Sequence, residues 1–220
     1  MNTYYFWGTI SSVFFLSSIP AILHQLSVIW KRKRLRREQA LDEAATQSIS
    51  LNQVFSSYCA VYSFFLFGLV LDTPDPFLMY PRAIVGILLY AILLEIYSER
   101  RSRAARVSFA ASSLSLIGPL ALIATGTRAS PEAQSASNAL VCGTTILMAQ
   151  GAVSQWLLLK RSGKRGAVSL PMHLALYGKD FTGLMFGLQI GTAAWSIVLM
   201  HASNLIMRAP VIYSYVRLAR

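Results

Sequence analysis

Seven apolar runs constrain this chain more than any other feature. They cover about 7–29, 51–71, 81–97, 107–125, 138–159, 167–190 and 193–215. A helix rises about 1.5 Å per residue, so each run is near the ~20 residues that cross a bilayer. Turn chemistry separates them: "LDTPDPFLMYPR" (71–82) has three prolines, "GTRASPEAQSAS" (126–137) is polar and small, and "KRSGKRG" (160–166) is basic. The break around Gly191–Thr192 is very short. Only 13% of the 220 residues are charged, against about a quarter in soluble domains. The expected fold class is therefore all-α, an integral membrane bundle of seven transmembrane helices in a lipid bilayer.

Charge placement orients the bundle. Sixteen Lys and Arg fall in the loops after the first, third and fifth runs and in the C-terminal tail, against two, Arg82 and Arg128, on the opposite side. This bias places the N-terminus outside and the C-terminus in the cytoplasm. The net charge of +11 is thereby explained as topology, and no nucleic-acid partner is expected. The polybasic "KRKRLRR" is read as a topology anchor, with anionic lipid as a further ligand. Cys59 and Cys142 lie inside apolar runs, which argues for neither a disulfide nor a metal site. No cofactor is expected. The first run has no basic segment before it, so no cleaved signal peptide is expected. The cell or inner membrane is the default location.

A repeat underlies the pattern. "SLNQVFSSYCAVYSFFLFGL" (Ser50–Leu69) aligns without a gap on "SLPMHLALYGKDFTGLMFGL" (Ser169–Leu188), at an offset of 119. Ser50/Ser169, Leu51/Leu170, Tyr58/Tyr177, Phe67/Phe186, Gly68/Gly187 and Leu69/Leu188 are identical. Upstream, "HQLSVIWKRK" matches "SQWLLLKRSGK"; downstream, "IYSERRSRAAR" (96–106) echoes "IYSYVRLAR" (212–220). Spans one to three thus resemble spans five to seven. The span left between them, "FAASSLSLIGPLALIATG", makes the two triplets enter the membrane in the same direction, as parallel repeats. The expected organisation is a first three-helix repeat (1–106), a linker helix and outer loop (107–137), and a second three-helix repeat (138–220).

This 3+1+3 layout resembles the PQ-loop superfamily, which includes the SWEET sugar transporters and the cystinosin-like amino-acid carriers. Its mark is a Pro-Gln pair near the end of the first helix of a triplet. In "SQWLLLKRSGKRGAVS", Ser154 stands where that proline is expected and Gln155 is in place. In the first repeat the counterpart is His24–Gln25, with Pro20 upstream and a longer loop. The resemblance implies a transporter whose third helix in each triplet lines the pathway. SWEET transporters use paired asparagines there. Asn204 resembles one of them, whereas span three offers Tyr90 and Glu95. That departure weakens a sugar assignment and favours a charged or proton-coupled substrate.

The polar residues inside the spans are the candidate site. A mid-membrane charge costs on the order of 2.5–3.5 kcal/mol on insertion scales, so such groups face a cavity or a partner. Asp180 lies roughly 20 Å deep from the cytoplasmic end of span six. Lys179 is one step and ~100° away, which predicts that the two do not pair. His173, Tyr177 and Asp180 share one face of span six; His201, Asn204 and Arg208 share one face of span seven. Depth matches His201 to Asp180 as a protonatable pair, and Glu95 to Arg208 as an inner gate. The candidate solute-binding residues are Tyr58, Tyr177, Lys179, Asp180, His201 and Asn204. Plainer readings stand beside these: Asp180 as a structural lock, Lys179 snorkelling, His173 at the interface, and Trp156 and Trp195 as belt anchors. Gly183, Gly187 and Gly191 form a small-residue stripe for close packing on span five or seven, or for a homo-oligomer contact. Pro20, Pro171 and Pro210 are candidate bending points.

Three function classes are weighed. The first is a transporter moving a small polar solute, sugar-like or amino-acid-like, by alternating access, with proton coupling through Asp180. The alternative is a receptor like the KDEL receptors, which binds a peptide or small ligand without transport. An enzyme is not expected, since no H-E-x-x-H or G-x-S-x-G constellation is present.

Overall fold

The computed structural model describes residues 2–39, 45–46, 49–127, 129–162 and 170–217. Among the described residues are nine α-helices and one 3-10 turn, Thr192–Ala194, and no strand. The helices are α1 (Thr3–Leu16), α2 (Ile19–Gln39), α3 (Leu51–Val70), α4 (Pro76–Arg100), α5 (Arg103–Ser115), α6 (Ile117–Ala124), α7 (Pro131–Ser162), α8 (Leu170–Ile190) and α9 (Trp195–Arg217). The first expected span is two helices, broken at Ser17–Ser18. Pro20 sits in the first turn of α2, where its missing N–H leaves no bond unmade. The linker span breaks likewise at Leu116, between α5 and α6. With both breaks allowed for, the helices of the described residues fall into seven successive segments in the expected order.

Thr3–Glu38, Leu51–Val70, Pro76–Arg100, Arg103–Ala124 and Thr192–Ser214 are each long and apolar enough to cross a membrane. The chain is an integral membrane protein. α7 runs unbroken for 32 residues, roughly 48 Å at the helical rise. Pro171 lies in the first turn of α8. Pro210 does lie inside α9.

Local chemistry sets the helix ends. The Ser50 hydroxyl accepts from the Gln53 N–H at α3, the Asp75 carboxylate from Leu78 N–H at α4, and the Ser102 hydroxyl from Ala105 N–H at α5. Each satisfies a donor that the first turn leaves orphaned. Asp75 is followed by Pro76 at the favoured first helical position. α4 closes with Arg101 in the left-handed region, φ 45°.

The chain packs as two compact units, a central one (Leu16–Gln134) and a terminal one (Met1–Phe15 with Ser135–Arg220). Packing therefore cuts the chain elsewhere than the repeat boundaries do. The linker helices belong with the central unit, and the first fifteen residues belong with the second triplet.

In the central unit α3 and α4 form a tight hairpin. A Cβ at Gly68 would lie 2.7 Å from the Leu78 Cβ, so only glycine allows the approach. Phe67, Leu78, Leu93 and Ile96 fill the core behind it. Leu26 and Ile29 of α2 and Ala105 of α5 pack on Ile92 and Ile96. In the terminal unit α8 and α9 form the matching hairpin. A Cβ at Gly187 would meet Val198 at 3.1 Å and Ile197 at 3.2 Å. α1 lies against α8: Tyr4 meets Phe186 at 5.5 Å and Trp7 meets Phe181 at 6.3 Å between centroids, while Phe14 covers Gly178. α7 is tied to α9 by a 2.6 Å hydrogen bond from the Ser196 hydroxyl to the Asn138 side-chain oxygen Oδ1.

Candidate functional site

The terminal unit holds a charged cluster in its apolar interior. Asp180 of α8 is fully buried, and four side chains, Lys179, His201, Asn204 and Arg208, bring a donor or a possible donor to it. From α9, Arg208 Nε donates to Asp180 Oδ2 at 3.0 Å. Asn204 Nδ2 approaches Oδ1 at 3.4 Å and His201 Nδ1 approaches it at 3.2 Å. His201 and Asn204 are themselves buried. Spacings of three and four residues put His201, Asn204 and Arg208 on one stripe of α9, and the hairpin lays that stripe along Asp180.

Lys179 corrects one expectation. Its ammonium lies 3.9 Å from Asp180 Oδ1, so the two neighbours form an ion pair. The angle between adjacent helical positions separates their Cβ atoms, but a four-carbon stem is long enough to swing back.

Gly183 makes room for the imidazole. A Cβ built there would overlap the His201 ring. The small-residue stripe therefore serves the α8–α9 contact: Gly183 seats His201, Gly187 seats Ile197 and Val198, and Gly191 turns the chain at φ 91°.

The tyrosines separate. Tyr58 is buried in the central unit, and its hydroxyl bonds the Ser112 carbonyl at 3.1 Å and the Ser115 hydroxyl at 2.8 Å. It docks the linker helix. Tyr62 donates to Ser115 O at 2.7 Å, and Tyr90 meets the Ser113 hydroxyl at 3.0 Å. Tyr90 and Tyr97 both stack on Phe109, at 5.3 and 4.7 Å. The linker span meets these tyrosines through the backbone carbonyls of Ser112 and Ser115 and the hydroxyls of Ser113 and Ser115. Tyr177 is instead 36% exposed. It lines an open apolar groove of about 630 Å³ with Leu205, Ile206, Ala209, Pro210 and Tyr213. Tyr177 and the sealed Asp180, three residues apart on α8, thus do not share one environment.

The pairing of Glu95 with Arg208 also changes. Glu95 accepts from Trp30 Nε1 at 2.8 Å and forms an ion pair with Lys33, both on α2. Arg208 is held by Asp180. Each charge is engaged within its own unit, and Arg208 becomes a partner of the carboxylate. One turn beyond Glu95, Arg36 comes within 4.0 Å of Glu99. Lys33 and Arg36 of the polybasic run therefore do structural work on α4. Arg82, counted with the outer loops, is buried inside α4, where it donates to Phe77 O at 2.6 Å and lies over the Phe64 ring.

Gln25 is half-buried on α2. Ser154 and Gln155 lie on α7, but their side chains, like that of His173, fall outside the described residues. Among the described residues no group of three His, Cys, Asp or Glu could hold a metal ion. Cys59 and Cys142 are both free thiols.

The architecture is similar to a solved structure described as a eukaryotic SWEET transporter, with a TM-score of 0.73 and 15% sequence identity, over 99% of this chain and 97% of that one. No family model and no curated relative matches the sequence. At this level of identity the likeness defines the fold: an all-α, SWEET-like arrangement of seven membrane helices.

Proposed function

We propose that the chain is a membrane transporter that moves a small polar solute by alternating access. The observation that carries this reading is a SWEET-like fold over 99% of the chain. The Asp180 cluster supports it, because ionisable groups inside membrane bundles mark solute and ion pathways. Lys179, His201 and Asn204 are the proposed solute-contacting groups, with Arg208 beside them; Asp180, expected among them, is sealed and is proposed to act through these partners. Tyr177 is the more peripheral member, and Tyr58 is reassigned to packing. The Asp180–His201 pair is the proposed place for proton exchange. The protein acts without enzymatic chemistry, with its N-terminus outside and its C-terminus in the cytoplasm, as the positive-inside bias requires.

Uptake into proteoliposomes tests the reading. Saturable flux of a sugar, amino acid or small organic acid above protein-free vesicles is expected. Saturable binding with no flux would favour the receptor alternative. Proton coupling predicts that Asp180→Asn flattens the pH profile of uptake; an unchanged profile removes it.

A further inference from the structure

Resting on the transporter reading, we infer that the site in the terminal unit takes an anion, a small solute carrying a carboxylate or phosphate group, held by Lys179 and Arg208. The argument is one of charge. Asp180 is the sole Asp or Glu in residues 135–220, and residues 1–15 contain none. Around this single carboxylate the structure gathers two fixed cations, Lys179 at 3.9 Å and Arg208 at 3.0 Å. His201 adds either no charge or a further positive one, and Asn204 presents its amide N–H. The cluster therefore carries a surplus of at least one positive charge within its unit.

Exposure points the same way. The Asp180 side chain is fully sealed, whereas 25% of the Lys179 side chain and 13% of the Arg208 side chain stay accessible. A ligand reaching the cluster meets cations and donors, and never the carboxylate. Arg208 offers Nε to Asp180, and a guanidinium carries four more N–H donors in a fork that fits a carboxylate or phosphate. Leaving surplus charge in an apolar bundle is costly. A bound anion neutralises it, and a neutral polyol does not. Two sources supply this chemistry, a dissolved anion and an anionic lipid headgroup.

The test uses the full chain in phosphatidylcholine nanodiscs. Its thermal midpoint is measured with acetate, lactate, succinate or inorganic phosphate, and with acetamide, lactamide or succinamide, at fixed chloride. At least one anion should raise the midpoint saturably while its amide does not. Lys179→Gln should weaken that anion about tenfold or more, and Lys179→Arg should restore it. Asp180→Asn should hold or tighten the anion, because it deletes the competing carboxylate; a purely structural cluster predicts loss instead. Should Asp180→Asn not fold, the Lys179 pair still decides. If phosphatidylglycerol nanodiscs reproduce the stabilisation and abolish the response to added anions, the headgroup is the source. Equal shifts from anion and amide, or anion shifts indifferent to Lys179→Gln, overturn the inference. Flux of a neutral solute without any anion effect overturns the anion and leaves the transporter. Anion binding without flux does the reverse, and absence of both overturns both.

Discussion

The two α-hairpins share a packing plan and differ in what they bury. Gly68 and Gly187 each permit a close crossing, and Phe67 and Phe186 each sit fully buried beside it. At the repeat register, Asp180 corresponds to Val61. Carrying the "IYS" match at 96–98 and 212–214 back along the last helices, His201, Asn204 and Arg208 correspond to Val85, Leu88 and Ile92. One hairpin thus holds four apolar groups where the other holds an ionic cluster. The shared tyrosine diverges too. Tyr58 is covered by the linker helix, whereas Tyr177 lines an open groove. The difference teaches that the glycine and phenylalanine of the crossing recur in both hairpins, whereas a carboxylate ringed by donors is found in one of them.

The comparison can be broken most forcefully at Arg208. Replacing it with Met leaves a buried carboxylate short of its best partner, which should cost about 3–5 kcal/mol. Unfolding in detergent would read this. A loss under 1 kcal/mol would mean that Lys179 and His201 suffice, and that the two halves differ less than they look. Gly183→Ala comes next. Its Cβ would overlap the His201 ring, an overpacking of about 1–3 kcal/mol. His201→Ala in the same chain should recover part of the loss, as a double-mutant cycle would show.

Tyr58→Phe removes bonds to Ser112 and Ser115 and should cost about 1 kcal/mol. The matched Tyr177→Phe should stay within about 0.5 kcal/mol, as surface changes do. Equal effects at the two tyrosines would erase the distinction between a docked face and an open one.

Much of this was legible in the sequence. The spans follow from run length, and close packing from the glycine stripe of span six, whose partner, span seven rather than span five or a second copy, only the contacts identify. His201 was matched to Asp180 because equal depth on two antiparallel helices places them level. Other contacts escaped that arithmetic because it counts Cα positions. Arg208 lies seven residues from His201, about 10 Å along the axis, and still reaches Asp180 because its side chain is long. The same reasoning fails for Lys179, which folds back on its neighbour. Glu95 escaped for another reason. Its partners, Trp30 and Lys33, sit in a stretch whose basic run already had a complete explanation as a topology signal. The breaks at Ser17–Ser18 and Leu116 lie inside apolar runs whose length says nothing about continuity, and of the two only the first was marked in advance, by Pro20 beside it.

The tight turn between α8 and α9 has a consequence for how the protein is made. Gly191 and the three-residue turn Thr192–Ala194 leave almost no loop, so the two helices can leave the translocon as a single hairpin. An emerging α8 would carry Asp180 into lipid with only Lys179 beside it. Arriving together with α9, it meets Arg208 during insertion instead of after. A nascent chain truncated before Trp195 should therefore insert α8 less completely than one that includes α9, read by a glycosylation reporter, and equal insertion would show that the pair assembles later.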